Sequence, residues 1–195
     1  TLLGGGGACH IARALEALPW LEKLTLSHNT IAAGVDMLAH ALASVTALRS
    51  LDVSHVSFGD EGATRLAEAL VCNTQLTELD VSSCLLSPIG AYLLMRACPR
   101  LESLHLDGNV LPLHLHLGAG LAWSFGRCSS LTNLSLFNCA LRREGAIAMA
   151  LSLPECPNLR KLHLGWNKMG SECVWHLLLT HTHTHTHTHT HTHTH

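Results

Sequence analysis

The chain has 195 residues, of which 47% are apolar and only 13% charged, with a formal net charge of -2. A nearly neutral chain has no global field able to hold a polyanion, which argues against nucleic acid as a partner. No stretch offers the roughly 18 to 20 uninterrupted apolar residues of a membrane span, and the Thr1-to-Gly7 start lacks the basic flank and apolar run of a signal peptide.

The first periodic segment, Ile11-Ala12-Arg13-Ala14-Leu15-Glu16-Ala17-Leu18, spaces its apolar residues as a helix does. It reads as the outer helix of a turn whose strand lies upstream of Thr1. Gly4 to Gly7 have no Gly-Lys-Ser/Thr after them and no strand before them, so they read as a flexible connection rather than a phosphate-cradling loop.

From Leu21 onward one pattern returns six times, Leu-x-x-Leu-x-Leu-x-x-(Asn/Cys)-x-(Leu/Ile/Met), beginning at Leu21, Leu48, Leu76, Leu101, Leu131 and Leu159. The first leucines are 27, 28, 25, 30 and 28 residues apart. That is the length of one strand, one loop and one helix, the signature of a solenoid that buries its core only between neighbouring turns. In the second turn, Leu48 to Val53 alternates into a short strand with Leu51 and Val53 inward and Ser50, Asp52 and Ser54 outward. Gly59-Asp60 then turns the chain, Asp60 is placed to cap, and Glu61 to Leu70 is predicted helical.

The ninth motif position holds Asn29, Val56, Cys84, Asn109, Cys139 and Asn167. A short polar side chain there can bond the backbone groups of the corner. Val56 cannot, and its turn is expected to be looser. The 30-residue interval predicts an insertion near 110–117, where Leu111-Pro112-Leu113-His114-Leu115-His116 reads as a loop because Pro112 opposes helix. A last helix is expected over Ser171 to Leu179, and residues 180–195 are Thr-His repeated eight times. The chain thus divides into the end of a truncated turn (1–20), six turns (21–179) and a low-complexity tail without fixed structure. An alternating CA tract would encode that tail, which reads as a translated microsatellite beyond which the array continues.

No chemistry-bearing motif stands out. The eight cysteines lack C-x-x-C spacing and follow the repeat instead: Cys98, Cys128 and Cys156 stand three residues before a first leucine, and Cys72 stands four before one. They read as small buried thiols of a reducing, cytoplasmic compartment. The tail histidines can chelate divalent metal in vitro, but they read as no evolved metal site. His114 and His116 lie in the insertion, and His28 and His55 fall at equivalent positions of successive turns. There is no nucleophile elbow and no H-E-x-x-H helix, so neither an enzyme nor a cofactor site is expected.

The outward strand positions should stack into one surface. Turn by turn they are Lys23, Thr25, Ser27; Ser50, Asp52, Ser54; Glu78, Asp80, Ser82; Ser103, His105, Asp107; Asn133, Ser135, Phe137; Lys161, His163, Gly165. Asp52, Glu78, Asp80 and Asp107 form a negative stripe suited to a partner with a basic surface, His105 and His163 face outward beside it, and Phe137 with nearby Trp166 would anchor an interface. The rival reading is a solvated face with one buried Phe.

The segments Leu101 to Asn109 and Leu159 to Asn167, with helix starts Glu61-Gly62-Ala63 and Glu144-Gly145-Ala146, resemble the ribonuclease-inhibitor type of leucine-rich repeat over residues 8 to 179. The resemblance implies an α/β horseshoe arc, parallel strands on the concave face and helices on the convex face, that binds a protein on its concave side. The same subclass occurs in NOD-like receptors and in the Ran GTPase-activating protein. The alternative function is therefore a regulatory or ligand-sensing segment of a larger protein. Val56 and the uneven intervals depart from the regular alternation of ribonuclease inhibitor, whose target is not carried over.

Overall fold

The structure is a computed structural model and describes residues 5–113, 116–170 and 187–188. Each of the six turns begins with a three-residue strand: β1 (Lys23–Thr25), β2 (Ser50–Asp52), β3 (Glu78–Asp80), β4 (Ser103–His105), β5 (Asn133–Ser135) and β6 (Lys161–His163). Helices α1 (Gly5–Glu16), α2 (Val35–Leu42), α3 (Gly59–Leu70), α4 (Pro88–Ala97), α5 (His116–Arg127) and α6 (Arg142–Ser152) alternate with them. One parallel sheet results, with strands in chain order, and β7 (His187–Thr188) lies beside β6. The expected helix at 171–179 and the rest of 180–195 lie outside the described residues, as do positions 114 and 115.

The register is uninterrupted: Leu24, Leu51, Leu79, Leu104, Leu134 and Leu162 align across the sheet. These leucines point inward, and from Leu51 onward all are buried. Parallel neighbours require a crossover, and from β1 to β6 each crossover is the helix whose apolar side closes over the leucine column. Removing one such side chain costs about 2 to 5 kcal/mol, so each turn depends on the next. The insertion also joins the core, since Leu111 and Leu113 are completely buried while 111–113 stay non-helical beside Pro112.

The corner position is where polar groups hold the turns together. Asn109 is 1% exposed. Its Oδ1 accepts the N–H groups of Cys84 and Leu86 in the preceding turn, both at 3.0 Å, and its Nδ2 donates to Val81 O and Leu106 O at 2.9 and 2.8 Å. Asn167 repeats this against Cys139, Leu141 and Leu136. Cysteine serves the alternate turns: Cys84 Sγ donates to Val53 O at 3.1 Å and Cys139 Sγ to Leu106 O at 3.2 Å. Val56 has no polar group to offer and fills its corner as a buried core residue.

Three local expectations are corrected. Gly5 to Gly7 belong to α1 rather than to a flexible connection. Asp60 does not cap its own helix, because α3 starts two residues earlier than expected, at Gly59, and has no side-chain cap. Its carboxylate reaches the following turn instead, accepting from Ser87 N–H at 2.9 Å and Ser87 Oγ–H at 2.5 Å, while Ser87 itself caps α4. A Cβ at Gly90 would collide with that carboxylate, so glycine keeps the approach open. Cys72 is exposed rather than buried; the inward position one residue on belongs to Asn73, 2% exposed.

Burial pushes the thiols of Cys98 and Cys139 from the ordinary 9.0 up to about 12, and those of Cys84 and Cys156 up to about 11. Unfolded thiols ionise near the ordinary value, so this contribution to stability is complete below about pH 9 and is lost as pH rises toward 12. Denaturation midpoints measured from pH 8 to 11 should fall above pH 9, and Cys84→Ala together with Cys139→Ala should flatten that fall. Asn109→Ala strands two N–H and two C=O groups and should cost about 3 kcal/mol or more in urea unfolding; a loss below about 1 kcal/mol would contradict the bridging role.

Candidate functional site

The outward residues form two rows across the parallel sheet. One runs Lys23, Ser50, Glu78, Ser103, Asn133, Lys161 and the other Thr25, Asp52, Asp80, His105, Ser135, His163. Strand alternation puts both rows on one face. A shallow groove of about 180 Å³ crosses it, lined by Lys23, Asp52, Glu78, Asp80, Ser103 and His105 among others.

The four carboxylates differ in what they have left to offer. Asp52 Oδ1 accepts the N–H and hydroxyl of Ser54, at 3.0 and 2.7 Å, and Asp80 Oδ1 accepts the N–H of Ser82 at 2.9 Å. In each case one oxygen is tied to the chain two residues on. That closure also explains why Ser54 and Ser82, outward by alternation, are buried. Glu78 is exposed. The ion pairs Arg65–Asp36 at 3.3 Å and Arg65–Glu68 at 3.7 Å lie on the helices, and neither reaches the groove.

Asp107 stands apart from the other three. Its Oδ1 accepts from Ser135 Oγ–H at 2.6 Å and from Phe137 N–H at 2.8 Å, both in the next turn. It therefore positions the Phe137 segment and does not line the groove.

Phe137 is 43% exposed and Trp166 64% exposed, and their ring centroids are 6.3 Å apart at a tilt of 43°. The buried-Phe reading is thus not what the structure shows. A Cβ at Gly165 would come within 2.9 Å of the Phe137 ring, so the ring lies over that glycine. His163 is exposed and His105 half-buried. The structure brings Asp52, Glu78, Asp80 and His105 together in the groove, and sets Phe137 and Trp166 side by side as a separate apolar patch.

Two features escaped the sequence. The eighth motif position has a positive φ in all six turns: His28 at 58°, His55 at 58°, Ser83 at 52°, Gly108 at 69°, Asn138 at 54° and Trp166 at 60°. His28 and His55 stack there, with centroids 4.1 Å apart. Ser103, His105 and Asn133 also join in one hydrogen-bonded cluster. Gly, Asn and Ser at the eighth position were a readable turn signal, diluted by His and Trp.

The fold is that of a leucine-rich-repeat solenoid. A family model described as "Leucine Rich repeat" matches residues 46–67, 72–95, 127–150 and 155–172. No curated protein matches the sequence closely enough to count as a relative. Among solved structures, actin-binding site 2 of leiomodin-1 superposes with a TM-score of 0.51 at 15% identity, over 88% of this chain and 85% of that one. The C-terminal domain of tropomodulin from Caenorhabditis elegans gives 0.50 at 13%, over 87% and 90%. At such identities the likeness is one of fold. Among the described residues no helix is long and apolar enough to cross a membrane.

The hydrogen bonds separate a structural carboxylate from an available one. Asp107→Ala should destabilise the fold by about 1 to 3 kcal/mol, whereas Glu78→Ala should stay within about 0.5 kcal/mol. Urea unfolding of both variants checks the assignment, and equal losses would refute it.

Proposed function

We propose that the chain is a protein-interaction scaffold whose concave face docks a partner with a basic surface. The observation that carries this is the groove, which three carboxylates, Asp52, Glu78 and Asp80, line against one cation, Lys23, without an ion pair between them. A basic side chain entering it gains charge-assisted hydrogen bonds from oxygens that the fold has already oriented. Phe137 and Trp166 supply the apolar anchor, since exposed aromatic rings dominate many interfaces. Little ordering remains to be done on binding, because the sheet is held rigid by its neighbours on both sides.

The leiomodin-1 structure of this fold is named for an actin-binding site, which supports protein binding as the use of such an array without naming this chain's target. The ribonuclease-inhibitor subclass is part of the proposal, supported by the α-helix that follows each of β1 to β5 and by the Asn and Cys corner bonds. So is a reducing, cytoplasmic setting, since Cys84 and Cys139 work as thiols that donate hydrogen bonds. No catalytic step is proposed. The same surface would serve a free-standing scaffold and the sensing segment of a larger protein alike.

The test is quantitative capture of partners from cell extract with wild type, with Glu78→Lys/Asp80→Lys, with Phe137→Ala, and with Arg65→Glu on the helices as a control. Proteins that bind wild type should be depleted at least about tenfold by the double charge reversal, equivalent to about 1.4 kcal/mol, and also weakened by Phe137→Ala. Capture unchanged by the double reversal but lost with Arg65→Glu would place the binding surface on the helices instead.

A further inference from the structure

The polar cluster between β4 and β5 does more than decorate the sheet. Asn133 Nδ2 stands 2.9 Å from Ser103 Oγ and 3.4 Å from His105 Nε2, and Ser103 Oγ is 3.1 Å from the same ring nitrogen. The other end of the carboxamide, Asn133 Oδ1, is buried and has no hydrogen-bond partner. An amide NH2 group only donates, so in this arrangement Nε2 accepts and the neutral ring carries its proton on Nδ1. An imidazolium carries a proton on both nitrogens, and its Nε2–H would then face the Asn133 N–H, donor against donor. A half-turn of the carboxamide removes that conflict, because the idle Oδ1 comes round to accept from Nε2–H and from the Ser103 hydroxyl, while the NH2 group moves into the buried position that Oδ1 leaves.

We propose that Ser103, His105 and Asn133 form a proton-responsive switch on the concave face, in which protonation of His105 reverses the Asn133 carboxamide and sets a positive charge in the wall of the acidic groove. His105 lines that groove and is the register partner of Asp80. The charged groups around it are Glu78 and Asp80 on β3, Asp52 on β2, Lys23 at the far wall, and Asp107 two residues along its own chain. On the other side β5 presents only the uncharged Asn133 and Ser135. The new charge is met by the groove's carboxylates and subtracts from what they offer a basic partner. This consequence for binding rests on the proposed function, whereas the switch itself does not.

Histidine is the side chain whose ordinary titration falls in the range of about pH 5 to 8, so the experiment is a nitrogen-15 NMR titration of the whole chain across that range. At neutral pH the His105 ring should report the Nδ1–H tautomer. On acidification the Asn133 side-chain amide signals should move with the same midpoint as the His105 ring, and His105→Gln should abolish the movement. An Nε2–H tautomer at neutral pH, or Asn133 signals that stay still while His105 titrates, would overturn the switch. A lysine- and arginine-rich peptide is the binding probe: its affinity should fall several-fold on acidification in wild type and stay level in His105→Gln. A peptide that fails to bind at any pH would count against the groove as a partner surface, while the NMR result would still decide the switch.

Discussion

The constraint on which everything else rests is that a strand of three residues can bury nothing by itself. Leu79 is covered because Leu51 and Leu104 stand beside it in register, and each of those depends on its own neighbour. Parallel pairing in register is therefore the means by which a core exists at all. The same alignment dictates the outer face, because side chains that alternate with the buried leucines fall into rows whether or not their chemistry suits one another. Asp52 beside Asp80 is such a pairing: a repeat that stacks its leucines also stacks like charges, and the fold accepts that at the centre of the concave face.

How the fold accommodates those carboxylates separates structure from availability. Asp60, Asp80 and Asp107 look alike in sequence, yet Asp60 holds the cap of the next helix, Asp107 holds the backbone of the next turn, and Asp80 ties down only its own. Bonds that cross between turns stabilise the array, and bonds that stay within a turn mainly orient the side chain. Asp52 and Asp80 are of the second kind, which leaves their other oxygen to the groove. The corner asparagines belong to the first: one carboxamide satisfies backbone groups on both sides of a turn boundary, groups that would otherwise be buried and unpaired.

Much of this could be read before any coordinates. The leucine spacing located β2 and its outward residues Ser50 and Asp52 correctly, because period-two alternation and the repeat length are properties of the chain itself. The groove residues Asp52, Glu78, Asp80 and His105 followed from the same parity. What remained hidden concerned reach between turns. Nothing in the order of residues says that the Asp60 carboxylate will find Ser87, whereas the inward place of Asn73 was legible, since it stands three residues before Leu76 as the buried Cys98, Cys128 and Cys156 stand before their own leucines. The Ser103, His105 and Asn133 cluster was hidden for the same reason, since it joins side chains from two strands 28 to 30 residues apart.

The aromatic patch shows most directly how local cost and surface chemistry separate. At the eighth motif position the backbone must enter the left-handed region, where a side chain costs about 1 to 2 kcal/mol and Gly or Asn sits most easily. Gly108 and Asn138 follow that preference; Trp166 does not, and it stays 64% exposed. Its ring therefore returns little core burial for the strain. The neighbouring exchange runs the other way: where Gly165 replaces a side chain in the outward row, the Phe137 ring lies across the gap and stays partly exposed. One position carries a larger residue than its backbone favours and the next a smaller one than its row contains, and together they hold two rings at the surface. That exposed pair is the observation behind the proposal that Phe137 and Trp166 anchor a partner.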